Sequence, residues 1–511
     1  MTKRKRAVID IGSNTIRLVI YQYSKISGLK ELMNIKSVAR LRNDITEEGY
    51  LNEQGIQKLL NLLHSFKEML IDYGIEHYRA VATASLRQSK NNQEIIKKMY
   101  EETGIQIELL SEQDEAYYGY FAVANTISTP SAVTIDIGGG STEITYYEQK
   151  ELKHAISLPF GSVSLKRQFM QSDTMTKREH DEVYHFAKQQ FKEVTWLNDL
   201  KVPVVGISGS ARSMAKMDQS RKNYPLTGVH QYRMSLADFN EINDEISSLT
   251  YNELKKMDEL SADRADIIGP VAEVFRALMH VVDSQKFQLS RKGLREGIVI
   301  SDILKEYPLA FDRTDVFRSN ARYLASEFGK SENQILHHAR IAELMYRELC
   351  RHELWDYSEE EIYILNQGAK VYMIGEYLEQ DAASQHTFYL LSNRSINGLN
   401  HKERVRLALL ASYKNKDSFY TYLKPFEDWF TKEEVQMLIR LGALLKLIYA
   451  LDASKRSIVT DIVIEINEET PEVLDLEIQT RGYPLAEKYQ GNKQKKHFER
   501  IVKKDVVLHF V

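Results

Sequence analysis

Two short turns in this chain carry residue types suited to gripping phosphate. The first, Ala7-Val-Ile-Asp10-Ile-Gly12-Ser13-Asn14-Thr15, is an apolar run ending in Asp-Ile-Gly and then small polar residues. The second, Ala132-Val-Thr-Ile-Asp136-Ile-Gly138-Gly139-Gly140-Ser141-Thr142, repeats that pattern. A glycine after a strand lets the backbone turn sharply and lets an anion reach amide N–H groups with no Cβ in the way. Ser13, Asn14, Thr15, Ser141 and Thr142 add hydroxyl and amide donors. Asp10 and Asp136 would repel a phosphate, so they make sense as ligands of a cation, directly or through water. Magnesium is the usual bridging ion in phosphoryl chemistry. Neither turn fits Gly-x-x-x-x-Gly-Lys-Ser/Thr or opens a helix with Gly-x-Gly-x-x-Gly, which weakens P-loop and dinucleotide readings.

The elements that must position these turns follow from apolar spacing. Each turn sits between an incoming and a returning strand, so one pattern occurs twice, which indicates two similar lobes. A helix is expected from about Asn52 to Tyr73, with Leu59, Leu60, Leu63, Phe66 and Leu70 on one face. Strands are expected at Tyr78 to Thr83 and Ile105 to Leu110, then a helix from about Glu112 to Ala124. Beyond Leu304 the periodicity is helical, at Phe317 to Phe328, Glu332 to Leu349, His401 to Tyr413 and Lys432 to Leu451. Strand patterns return at Ile458, at Val473 to Ile478 and at Val506 to Val511. The chain is accordingly divided into lobes at 1–128 and 129–304, a helical domain at 305–425 and a small α+β module at 426–511.

Composition narrows the class. The 511 residues are 43% hydrophobic and 27% charged, as in ordinary globular proteins. The single cysteine, Cys350, excludes an intramolecular disulfide and suits a reducing compartment, and reads as a small apolar filler. Asp10, Ser13, Asn14 and Arg17 interrupt the apolar stretch behind the basic start, so no export signal is expected, and no stretch approaches a membrane span. A cytoplasmic, soluble protein without nucleic-acid or membrane partners is the expectation. With a net charge of −4, the whole-molecule field does not attract a polyanion, so a local basic site must capture one. The densest basic run after the N-terminus lies at Lys488 to Lys504; it reads as a solvated face or as a track for a long anion.

At this point the sequence resembles the exopolyphosphatase and guanosine pentaphosphate phosphatase family, within the actin, Hsp70 and sugar kinase superfamily. Besides the two turns, Val81-Ala-Thr-Ala-Ser-Leu-Arg87-Gln-Ser-Lys-Asn91 and Leu110-Ser-Glu-Gln-Asp-Glu115-Ala are similar to family segments. So are Leu158-Pro-Phe-Gly161-Ser-Val-Ser-Leu, Gly206-Ile-Ser-Gly209-Ser-Ala-Arg, Arg264-Ala-Asp-Ile-Ile and Gly293-Leu-Arg-Glu-Gly, all in family order. The resemblance implies an α/β fold of two actin-like, ribonuclease H-like lobes, followed by an HD-like helical domain and a small α+β domain.

It implies Glu115 as the general base that activates water, Arg87 as a planar fork for phosphate oxygens, and Glu143 beside Asp136 as a second acidic cation ligand. Arg17 either touches phosphate or pairs with a carboxylate. Magnesium is the implied cofactor, with potassium a second candidate, and a homodimer the implied assembly. The substrate implied is inorganic polyphosphate, with guanosine pentaphosphate or tetraphosphate as alternatives. A weakly active regulator that binds these anions is a rival, as is an ATP-dependent kinase, which Glu115 disfavours. Gly209-Ser210 departs from the family's Gly-Gly-Thr, leaving open whether a nucleoside is accommodated. In the helical domain Tyr372 and Met373 stand where the resemblance would place an HD metal pair. His338 and His386 remain without an evident carboxylate, so the domain is expected to lengthen the anion path and support dimerisation.

Overall fold

A computed structural model describes residues 4–25, 28–466 and 469–511. It forms two compact units, Met1–Val316 and Phe317–Val511.

The first unit contains two sheets of the same design. In one, β1 (Arg4–Ile11), β2 (Thr15–Tyr23) and β3 (Leu29–Val38) run antiparallel, and β4 (Tyr78–Ala82) and β5 (Ile107–Leu109) extend β1 in parallel, in the order β3-β2-β1-β4-β5. The other repeats it with β6 (Ala132–Ile137), β7 (Thr142–Glu148), β8 (Glu151–Leu158) and β9 (Val204–Gly206). Its order is β10-β11-β9-β6-β7-β8, with β10 (Arg233–Ser235) and β11 (Lys286–Leu289) at the far edge. The duplicated turns therefore occupy equivalent places, between the first two strands of each sheet. β1 from Ala7 onward and β6 are largely buried, and their residues there are mostly apolar.

Helix α1 (Glu53–Asp72) starts where Asn52 accepts the Gly55 N–H at 2.9 Å, and buries Leu59, Leu60, Leu63, Phe66 and Leu70 against the first sheet. Four further helices in this unit bear on the site. They are α2 (Glu112–Thr126), α3 (Ser162–Phe169), α4 (Gly209–Arg221) and α5 (Leu294–Glu306).

The second unit packs α6 (Glu332–Arg351), α7 (Glu359–Val371), α8 (His401–Ala411) and α9 (Lys432–Ala450) with other helices. A three-stranded sheet accompanies them. In it β13 (Val473–Thr480) lies between β12 (Val459–Glu465) and β14 (Asp505–Phe510). Cys350 lies partly buried near the end of α6, and burial raises its thiol pKa.

One expectation for this unit is corrected. His338 does have a carboxylate partner, since its Nε2 lies 3.0 Å from Asp452 Oδ2 and both residues are buried. Their separation of 114 positions hides the pair from a reading by spacing. Tyr372 and Tyr449 pack beside them, ring centres 5.2 Å apart and tilted by 57°. The Lys330 ammonium donates to the Tyr449 hydroxyl at 3.2 Å, and burial lowers its pKa to about 8. No group of three or more His, Cys, Asp or Glu that could hold a metal occurs among the described residues.

Candidate active site

The two glycine turns close in the same way. Gly12 N–H donates to the Thr15 carbonyl at 3.0 Å, and Gly138 N–H to the Ser141 carbonyl at 2.9 Å. Among the described residues no backbone carbonyl receives the N–H groups of Ser13, Asn14, Gly139 or Gly140, so these donors are available to an anion. The turns also meet: a Cβ on Gly139 would lie 3.7 Å from that of Ser13. Helix α3 starts directly behind the second turn, with Ser162 N–H on the Gly138 carbonyl at 2.9 Å and Val163 N–H on that of Gly139 at 3.0 Å. This closeness requires Gly161, where a Cβ would stand 2.6 Å from the Gly138 oxygen.

The cleft beside the turns has a volume of about 300 Å³. Of the residues singled out from sequence, Asp10, Asn14, Thr15, Glu115, Asp136, Gly138, Gly139 and Glu143 line it. Gly12, Ser13, Gly140, Ser141 and Thr142 complete the turns and are not among the cleft's lining residues. The Thr142 hydroxyl is fully buried and donates to the Phe160 carbonyl at 2.7 Å, so it serves the fold instead of offering a donor to phosphate.

Arg87 contacts an acid from the same site. Its guanidinium donates to Glu115 Oε2 at 3.1 Å and to the Leu110 carbonyl at 2.8 Å, and lies 3.5 Å from Glu112. Arg87 thus holds the carboxylate of Glu115 and is not among the residues that line the cleft. Glu115 itself projects from the first turn of α2, a helix capped by the Ser111 hydroxyl accepting the Asp114 N–H at 3.0 Å. A helix N-terminus stabilises negative charge there.

The acids form one electrostatic group. Burial, and then their mutual repulsion, hold Glu115 and Glu143 well above the ordinary carboxylate range, with Arg87 opposing the effect on Glu115. Asp136 is pushed up to about 6, mainly by burial, against the pull of Arg295. Ser157 donates to Glu143 Oε1 at 3.1 Å. Asp10 differs, because Arg295 donates to its Oδ2 at 2.8 Å. Of the three acids expected to hold a cation, Asp10 therefore already has a cationic partner. Asp136 and Glu143 are cross-strand neighbours on β6 and β7. Their donor set suits magnesium, though among the described residues no three acids form a ready-made metal shell.

Spacing did not reveal the number of arginines that converge. Arg17, Arg212, Arg264, Arg291 and Arg295 all line the cleft. Burial, then the four other arginines, lower the pKa of Arg212 to about 10. Such crowding of like charge favours a multiply charged anion. Arg42, reaching across from the first lobe, places its guanidinium against Gly140. The available signal was that Arg212, Arg264 and Arg295 each sit inside a segment already picked out beside a glycine turn or helix start.

A model of the Ppx/GppA phosphatase family matches residues 19–306, more than half of the chain. The chain belongs to the Ppx/GppA phosphatase family. A second model, for domain III of these phosphatases, matches residues 321–488. Exopolyphosphatase 1 of Mycobacterium tuberculosis is 26% identical over 308 residues, covering 58% of this chain and 88% of that protein. A bifunctional 3-dehydroquinate synthase/phosphatase of Fusobacterium nucleatum is 28% identical over 276 residues, which are 52% of this chain and only 41% of that protein.

Among solved structures, the Aquifex aeolicus Ppx/GppA family member is 26% identical with a TM-score of 0.55, covering 60% of this chain and 99% of its own. An exopolyphosphatase from Cytophaga hutchinsonii shares the fold, at 22% identity and a TM-score of 0.55 over 60% of this chain and all of its own. The actin-like fold of these Ppx/GppA phosphatases is the one described by the paired sheets of the first unit.

In this Ppx/GppA phosphatase, α5 crosses α2 at Gly297, where a Cβ would fall 2.7 Å from the Tyr118 carbonyl carbon. Tyr118 lies one helical turn beyond Glu115. Gly297→Ala is therefore expected to displace α2, lowering the thermal midpoint through overpacking of about 1–3 kcal/mol. If Glu115 acts in turnover, turnover should fall further, by up to about 10²-fold, because small misplacements of a reacting group are costly. Phosphate-release assays beside thermal denaturation check this. Unchanged turnover would show that the crossing does not set the position of Glu115.

Proposed function

We propose that the cleft hydrolyses the terminal phosphoanhydride bond of inorganic polyphosphate and releases orthophosphate. The observation that carries this reading is the set of five arginines in a cleft that also contains Glu115 and two facing glycine turns. The N–H groups of the turns hold the terminal phosphate, and the arginines hold the phosphates behind it. Glu115, oriented by Arg87, accepts a proton from water as the water oxygen bonds to the terminal phosphorus. The bridging P–O bond breaks, and its electron pair leaves on a chain shorter by one phosphate.

Asp136 and Glu143 would hold a magnesium ion, whose chemistry is to draw charge off the phosphate oxygens. Their elevated pKa values fit this role, since carboxylates buried together at a phosphate site call for a positive counter-charge. Asp10, restrained by Arg295, would act through water.

Polyphosphate is favoured over guanosine pentaphosphate because the wall near Gly209 is built of guanidinium. Arg264 packs against Gly209 so closely that a Cβ there would clash with it, and no aromatic ring lines the cleft among the described residues. A nucleobase usually gains affinity from apolar and aromatic surface. The test is phosphate release from long polyphosphate, guanosine pentaphosphate and ATP side by side with magnesium. Polyphosphate is expected to be cleaved fastest. Preferential cleavage of guanosine pentaphosphate would reassign the substrate, and binding without release would make the protein a regulator.

A further inference from the structure

The second unit contains a cavity of about 690 Å³ between the first turns of α6, the loop 455–457, the start of β12 and Arg481. Its wall carries Arg340, Lys455, Arg456, Arg481 and His337 and, among the described residues, no Asp or Glu. Arg340 donates to the carbonyls of Thr460, at 2.8 Å, and Val459, at 3.3 Å, and Arg481 to that of Ser457, at 3.1 Å. These two arginines have only backbone carbonyls as partners among the described residues, so neither charge is neutralised by an acid. The acids that pair with the other two cations, Glu376 with Lys455 at 3.4 Å and Glu487 with Arg456 at 3.8 Å, lie off the wall. Burial lowers His337 to a pKa of about 4 against the opposing pull of the buried Asp452, which does not line the cavity, and His338, Arg340 and Arg481 add to the drop, so its imidazole is neutral and can still donate one hydrogen bond.

We infer that this cavity is a second anion site, built to take a compact run of linked phosphates, separate from the cleft of the first unit. An isolated cation on a surface is usually solvated, and Arg340 also braces α6 against β12. Bracing alone accounts for Arg340 but does not explain four cations drawn from three separate segments around one acid-free wall. Arg340 and Arg481 share this wall with no acid partner among the described residues, and a ligand carrying several negative charges would be drawn to both. The exposed Asn333 and Leu336 at the rim offer an amide and an apolar face. The phosphates could come from an inorganic chain or from a nucleotide. The inference does not depend on what the cleft hydrolyses.

Hydrogen exchange of the full chain, with peptides resolved by mass, tests it. Up to millimolar tripolyphosphate is expected to protect amides within 331–340 and 455–460. The double variant Lys455→Gln, Arg481→Gln should require at least about tenfold more ligand for the same protection, as loss of charge-assisted contacts implies, with turnover in the cleft unchanged. Asn333→Asp is a milder second variant, since an acid in the first turn suits the helix while repelling the ligand; it should weaken protection too. Equal protection by tripolyphosphate and GTP would identify the phosphates alone as the ligand, and protection by GTP only would add a nucleoside contact at Leu336. Absence of protection with both, or protection unchanged in the double variant and in Asn333→Asp, would overturn the site.

Discussion

Glu115→Gln is expected to bind tripolyphosphate as well as the parent protein does, while turnover falls by about 10²–10⁴, the usual contribution of a positioned base. The amide keeps the shape of the side chain and can still face Arg87, which donates to Glu115 Oε2 at 3.1 Å. What it loses is the ability to accept a proton from water. Burial and the neighbouring acids raise the affinity of this carboxyl for a proton, and Arg87 holds that rise in check. Arg87→Lys therefore separates positioning from phosphate binding. If Arg87 orients the base, its replacement lowers kcat and leaves KM for short polyphosphate nearly unchanged. A rise in KM alone would return Arg87 to the phosphate-binding set. Steady-state phosphate release and calorimetric binding together check both variants. Near-normal turnover in folded Glu115→Gln would remove it as the base.

Much of the first unit was legible because its signals are local. Apolar runs ending in Asp-Ile-Gly mark β1 and β6, and the return strands follow at once, so the duplication shows in the letters themselves. The structure extends that duplication to whole sheets and to register. Asp10 pairs across the ladder with Arg17, and Asp136 with Glu143. The same position thus carries a cation in one lobe and an acid in the other, which under the proposed function would divide the cleft into a phosphate-holding side and a side suited to a metal. This also bears on Arg17, which spacing left between phosphate and carboxylate. It lines the cleft, and its guanidinium donates to Asn34 at 3.2 Å rather than to an acid.

What sequence did not reveal depends on convergence in space. Arg291 and Arg295 arrive at the start of α5, Arg212 in the first turn of α4 and Arg264 from a short 3₁₀ turn. No periodicity links them. The His338–Asp452 pair is hidden for the same reason. The basic run Lys488 to Lys504 misleads in the opposite sense. Lys495 forms an ion pair with Glu499 at 3.0 Å, and the nearby surface depression interleaves Lys496, Arg500, Lys503 and Lys504 with Glu472, Glu499 and Asp505. A dense run of cations in sequence is thus partly neutralised in the fold, whereas the acid-free cationic wall of the second unit is assembled from distant segments.

The remaining large effect is expected at the acids facing the phosphate turns. Asp136→Asn and Glu143→Gln each remove one charged oxygen from a place where Asp136 and Glu143 are cross-strand neighbours. A hard divalent ion prefers charged oxygen ligands, so each variant should raise the magnesium concentration for half-maximal activity, by about 10-fold or more, and the pair together should nearly abolish activation. Asp10→Asn should have a different signature. Asp10 is bound by Arg295, so its loss frees a guanidinium in the cleft and should disturb phosphate affinity as well as metal response. Direct binding of manganese as a magnesium substitute, measured by its paramagnetic signal with and without tripolyphosphate, supplies a readout apart from turnover. Because the acids do not form a complete shell by themselves, tight binding is expected only when phosphate oxygens are present to complete it. Binding that is equally tight with and without tripolyphosphate, or unchanged in the Asp136→Asn and Glu143→Gln variants, would place the ion elsewhere and leave the two acids as buried structural carboxyls.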